Sequence, residues 1–269
     1  MARAQVLNPD PAPTELGPVE LSREILAEAK TVSEPRRCAR LDALAAQLHG
    51  VAPEVLDGDA ARIAFWANLY NALILHCLCL RPLRGSLLLH LRLFDRVAYR
   101  VGAQDFPLNV IENGILRANR RAPFRLRRPL RQTDPRLAAA PSRLDPRIHF
   151  ALNCGARSCP PIRDYDPASL DEQLEIATCA YLDQEAHLER RSGRVRLPRL
   201  MRIYAADFGG REDQLRFAAA RLPELDSWLA DRGCPEVSYG SFDWRVAARR
   251  GRRSREAPRG IEPWARGSK

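Results

Sequence analysis

The run from Ile63 to Leu80 constrains the fold more than any other stretch, because its 18 residues are apolar on almost every face. Asp57-Gly58-Asp59 precedes the pattern and Arg81-Pro82 follows it, which predicts one long helix over residues 60–80. A helix apolar all round is buried, either in a bilayer or in a protein core. This one approaches the length of a bilayer span. Asn68, Asn71 and His76 lie within it, however, and would be costly in lipid. A core helix with no membrane span is the expectation.

The rest of the chain is arranged around that helix. At 269 residues and 45% hydrophobic content, the chain can bury a sizeable core. Residues 20–30 and 37–48 carry apolar residues at helical spacing, separated by Ser33-Glu34-Pro35, and read as a helical hairpin. Residues 86–94 predict a short helix, 97–101 a strand ending at Gly102, and 107–116 a helix opened by proline. The arginine-rich residues 119–144 read as a long loop. Residues 148–153 are short, apolar and bounded by Pro146 and Gly155, which predicts a buried strand. Helices over 170–188, 214–222 and 225–229 and strands over 194–197 and 237–246 complete the pattern. Many helices and few strands make the fold class α+β, mostly helical with a small central sheet in a single domain. The expected divisions are a flexible N-terminal segment (1–18), the hairpin packed on the domain (19–52), the core (53–246) and a disordered basic tail (247–269).

Charge and cysteine usage narrow the functional classes. The formal net charge is +10, but residues from Trp244 onward hold nine basic side chains against Glu256 and Glu262, leaving about +3 for the rest. Seven arginines between Arg117 and Arg131 account for more than that remainder, so no basic face runs through the domain. Arginine outnumbers lysine 41 to 2, and nucleic-acid binding is disfavoured. The opening residues contain four prolines and lack a basic start and an apolar block, unlike a secretory signal. Seven scattered cysteines do not form the framework of a small secreted domain and point to a reducing, cytoplasmic setting. The partner is an unknown protein or a small substrate, and the oligomeric state is open.

Chemistry concentrates where an imidazole, a carboxamide and two thiols follow one another: His149, Asn153, Cys154 and Cys159. On a regular strand His149, Ala151 and Asn153 share one face and Cys154 takes the other. A Cys–His pair therefore needs a turn after Asn153, which Gly155 permits, or a return of the chain at Cys159 past Ser158. A thiol beside an imidazole or a helix dipole is a good nucleophile. Zinc would need a second ligand pair that does not follow, so neither a metal nor a cofactor is expected. A reversible disulfide between Cys154 and Cys159, or thiols that simply pack beside a structural histidine, are the other readings. Asn68 and Asn71 share a helix face with Ala64 and Leu75, where a buried carboxamide must find hydrogen bonds. They either cross-link the core or line a site. Glu112 sits among inward-facing apolar residues and raises the same question.

Three segments carry a family resemblance. Phe65-Trp66-Ala67-Asn68-Leu69-Tyr70-Asn71-Ala72-Leu73, then Leu108-Asn109-Val110-Ile111-Glu112-Asn113-Gly114-Ile115-Leu116-Arg117, then Asp145 to Pro161 with its Asn153-Cys154-Gly155-Ala156-Arg157-Ser158-Cys159-Pro160-Pro161 end, resemble in order the signatures of the domain of unknown function 547 family. Tyr239-Gly240-Ser241-Phe242-Asp243-Trp244 is similar to the family's terminal Tyr-Asp-Trp element, with Phe242 in place of tyrosine. The resemblance implies an α+β domain without an established reaction. It also implies that Asn68, Asn71, Glu112, His149, Asn153, Cys154, Ser158 and Cys159 occupy motif positions. The resulting expectation is a thiol-dependent hydrolase or acyl-transfer site with Cys154 or Cys159 as nucleophile, His149 as base, and Asn68 or Asn153 as orienting or oxyanion-stabilising amide. Asn71, Glu112, Asn153 and Ser158 would serve binding. The alternative is a non-catalytic interaction or scaffold domain held by a buried polar network.

Overall fold

The computed structural model describes residues 4–247, apart from 33, 35–37 and 124. The expected basic tail lies outside the described residues beyond Ala247. Strand β1 (Gln5–Val6) opens the chain, followed by α1 (Pro18–Thr31), α2 (Ala39–Ala46) and α3 (Gly58–Leu80). The long helix forms as expected: Asp59 complements its N-terminal dipole, and the chain leaves helical geometry at Arg81, just before Pro82. By length and composition α3 could cross a membrane, but 89% of its apolar window is buried inside the protein. Helix α1 lies along it with a buried stripe of Leu21, Ile25, Leu26 and Ala29, the 3.6-residue spacing of an amphipathic helix.

With 54% helix and 11% strand the fold is α+β and mostly helical, although the strands divide between two three-stranded sheets instead of one central sheet. In the first, β2 (Val97–Val101) pairs parallel with β1 and antiparallel with β3 (Gln104–Pro107), after α4 (Leu91–Arg96). Residues 5–8, expected in a flexible segment, are tied into this sheet. The Asn8 side chain donates to the carbonyls of Ala45 and Arg100 and accepts from the Arg100 N–H. The proline-opened helix over 107–116 is also revised: Pro107 ends β3, and Val110–Leu116 winds as a π-helix, with Arg117 N–H donating to the Glu112 carbonyl. Such wide turns recur at functional sites.

The predicted strand over 148–153 is a 3-10 helix, Pro146–Phe150. Asp145 caps it through the Arg147 N–H, and Pro146 supplies the preset φ of a first helical residue. These start signals outweigh a short apolar run whose burial suits either structure. The run is buried because it lies between two apolar clusters. Ile148, Ala151 and Leu152 belong to the cluster around α3, whereas Phe150 joins Tyr181, Leu182, Val195 and Phe208 in the other.

The second cluster is closed by α5 (Leu170–Glu185), β4 (His187–Glu189), β5 (Arg194–Leu197), α6 (Arg199–Ile203), α7 (Ala205–Phe208), α8 (Arg211–Ala219), α9 (Pro223–Arg232) and β6 (Glu236–Tyr239). Strand β5 is central, antiparallel to β4 and parallel to β6. The final strand expected over 237–246 is interrupted after Tyr239. The chain then crosses back, forming bridges from Arg245 to Ser86 and from Val246 to Ala156.

Candidate functional site

The thiol loop is built by amides. Asn71 on α3 donates to the Ala151 carbonyl and accepts from the Asn153 N–H, 2.9 Å each, pairing with the chain as a neighbouring strand would. Asn153 then folds the loop on itself: its Oδ1 accepts from Gly155 N–H and its Nδ2 donates to the Pro160 carbonyl, both at 2.7 Å. Gly155 has φ of +91° and packs on Leu78, whose Cδ1 would stand 3.0 Å from an added Cβ. Ser158 anchors the loop to the returning chain, its Oγ accepting from Asp243 N–H at 2.8 Å and its carbonyl from the Tyr181 hydroxyl.

This folding places Cys154 Sγ and Cys159 Sγ 2.9 Å apart, with Cys154 N–H donating to Cys159 Sγ at 3.2 Å. Burial raises the Cys159 pKa, but the thiol of Cys154 and the backbone N–H groups of residues 154–156 outweigh it and draw the pKa below the ordinary thiol value. Cys154 moves well upward, first because its thiol proton is held by Cys159 and then by burial. Of the two thiols, Cys159 is the one whose thiolate form its surroundings favour.

His149 lies on the same pocket but hydrogen-bonds neither thiol. Its Nε2 is 2.8 Å from Asp207 Oδ2, and its ring stacks on Tyr204 with centroids 3.8 Å apart. Nδ1 has no hydrogen-bond partner among the described residues. Burial holds the imidazole pKa down against the upward pull of Asp207. Asp207 also receives Arg117 Nε and, at 2.9 Å, Arg120 Nη1. Burial opposes its charge, but His149 and Arg117 keep its carboxyl well below the usual range. Glu112 accepts from the Tyr70 hydroxyl at 2.9 Å and the Tyr204 hydroxyl at 2.6 Å. Burial first, and then Glu112, keeps both phenols protonated far above neutral pH.

Cys154, Cys159, His149, Glu112, Tyr70 and Tyr204 converge on one pocket of about 150 Å³. Asn68 does not reach it. Its carboxamide accepts from the Tyr165 N–H and donates to the Tyr165 carbonyl, both at 2.9 Å, and reaches Ser22 Oγ at 3.2 Å. The expectation of an orienting amide beside the thiols is therefore corrected for Asn68: sharing a helix face with Asn71 does not mean sharing a target. Asn71, Asn153 and Ser158 act one step behind the pocket by shaping the thiol loop. Among the described residues no group of three or more His, Cys, Asp or Glu side chains is placed to hold a metal ion.

Sequence reading missed Asp207, Tyr204 and Arg117. Arg117 closes a quoted motif and could have been weighed. Asp207 sits in Tyr204-Ala205-Ala206-Asp207-Phe208, where only an acid within an amphipathic pattern is visible.

Residues 54–182 match the model of a family described as protein of unknown function, DUF547. The matched residues hold both thiols, His149, Glu112 and Tyr70, whereas Tyr204 and Asp207 lie beyond them. No curated protein and no solved structure matches the chain.

Proposed function

We propose that this domain is a thiol-dependent acyl-transfer or hydrolase site, with Cys159 as nucleophile and His149, held by Asp207, as base. The observation that carries the reading is the opening of a dithiol and of an imidazole, held from behind by Asp207, onto one pocket. The proton given up by the dithiol goes to His149. Cys159 Sγ attacks the carbonyl carbon of an ester or thioester, forming an S–C bond and an oxyanion. Collapse of the oxyanion breaks the bond to the alkoxide or thiolate leaving group, which takes the proton from the His149 imidazolium. Water then attacks the acyl-enzyme, giving a proton to His149, and the acid departs as Cys159 leaves as thiolate. A second nucleophile in place of water makes the reaction a transfer. A reducing cytoplasm, where both thiols stay reduced, goes with this reading.

Iodoacetamide labelling across pH, read by peptide mass, tests the nucleophile. Cys159 is expected to label fastest, with a midpoint below the ordinary thiol value of about 8.5. The Cys159→Ser form should lose the fast phase, and His149→Ala should lower ester turnover by about 100-fold or more. Slow, uniform labelling of every buried thiol would overturn the reading. It would favour a non-catalytic interaction domain, which the backbone-bound amides of Asn68, Asn71 and Asn153 support.

A further inference from the structure

Beyond the thiols the pocket is walled by Leu87, Leu91 and Phe94 on one side, Leu200 and Ile203 on α6, and Trp244 from the returning chain. Trp244 is held in place because its carbonyl accepts from Leu87 N–H at 2.8 Å and its indole packs on Phe242 with centroids 4.5 Å apart. The charged groups that line the pocket already have partners within the protein. Glu112 holds two phenolic hydroxyls, His149 holds Asp207, and Arg125 pairs with Asp95 at 2.8 Å. The walls therefore offer a substrate apolar surface and few free charges. Leu91, 40% exposed, and Leu88, 43% exposed, continue this surface to the rim.

We propose that the pocket binds the hydrocarbon part of an acyl ester or thioester, presenting its carbonyl carbon to Cys159, and that it is sized for a chain of about six carbons. A cavity near 150 Å³ with apolar walls holds a molecule the size of benzene, about six carbon atoms. A charged or polyhydroxylated acyl group would lose its water and meet only polar side chains already bonded within the protein. The proposal deepens the acyl-transfer reading and rests on it: that reading supplies the nucleophile, and the walls supply the selectivity.

The test uses the full chain with p-nitrophenyl acetate, butyrate, hexanoate and decanoate. The readouts are p-nitrophenolate release and the mass of the Cys159 peptide. Acylation efficiency is expected to rise about fourfold for each methylene up to hexanoate, as each buries in the pocket, and to rise no further with decanoate. Leu91→Trp, at a half-exposed position that tolerates a larger side chain, should lower the hexanoate-to-acetate ratio by about tenfold or more. Cys159 adducts formed equally from all four esters would overturn the pocket assignment and leave the nucleophile standing. Absence of a Cys159 adduct with every ester would overturn both.

Discussion

At the scale of single residues, the chemistry depends on how two equivalent thiols become unequal. Cys159 faces backbone N–H groups and receives a thiol hydrogen bond, while Cys154 gives up that hydrogen bond and sits near Glu112. Removing the donor should therefore matter more than removing bulk. In Cys154→Ala the Cys159 labelling midpoint is expected to rise by about one pH unit, the loss of one charge-assisted hydrogen bond. Cys154→Ser, whose hydroxyl still donates, should restore most of the shift. An unchanged midpoint in both forms would show that the backbone N–H groups alone set the thiolate. The sequence put both cysteines in one loop, but their inequality follows from the Asn153 and Gly155 turn, which alternation along a strand could not reveal.

At the scale of elements, α3 acts as a rigid bar that delivers two amides to two different loops. Asn68 fixes Tyr165 and Asn71 fixes the approach to the thiols. Both substitutions to alanine leave a backbone N–H and carbonyl buried without a partner, and each should cost about 2 to 4 kcal/mol in urea unfolding. Only Asn71→Ala should also slow Cys159 labelling and weaken ester turnover at the same fraction folded. Equal loss of activity in both forms would mean that stability, not loop position, was being read. The helix itself was legible because apolar residues on all faces permit few alternatives. The 3-10 helix at His149 was not, since a six-residue apolar run fits either structure and the deciding signals, Asp145 and Pro146, lie outside it. The π-helix at Glu112 was hidden for a related reason: its pattern differs from an α-helix by one residue per turn, within the noise of so short a segment.

At the scale of the whole molecule, Asp207 joins the two apolar clusters. It sits on α7 in the second cluster and binds Arg117 after the π-helix and His149 between the clusters. No local pattern marks it, because its role exists only once segments 58 and 90 residues away have met it. Its carboxylate has a lowered pKa in the fold, so its stabilisation is present above the unfolded value of about 3.9 and is lost as pH falls below it. His149 also has a lowered folded pKa. Between its unfolded value of about 6.5 and that lower folded value, the unfolded chain binds the extra proton, and stability falls as pH falls. Urea midpoints from pH 8 to pH 3 should therefore decline in two stages, the first below about 6.5 and the second below about 4. His149→Gln should remove the first stage. Asp207→Asn should shrink the second, to which Asp59, Asp134, Asp164, Glu175 and Asp243, also lowered in the fold, contribute, and should lower stability at pH 7 by about 3 to 5 kcal/mol, because Arg117, whose side chain is 3% exposed, is left buried without its counter-ion. A single decline unchanged by either substitution would show that this ionic junction does not hold the two clusters together.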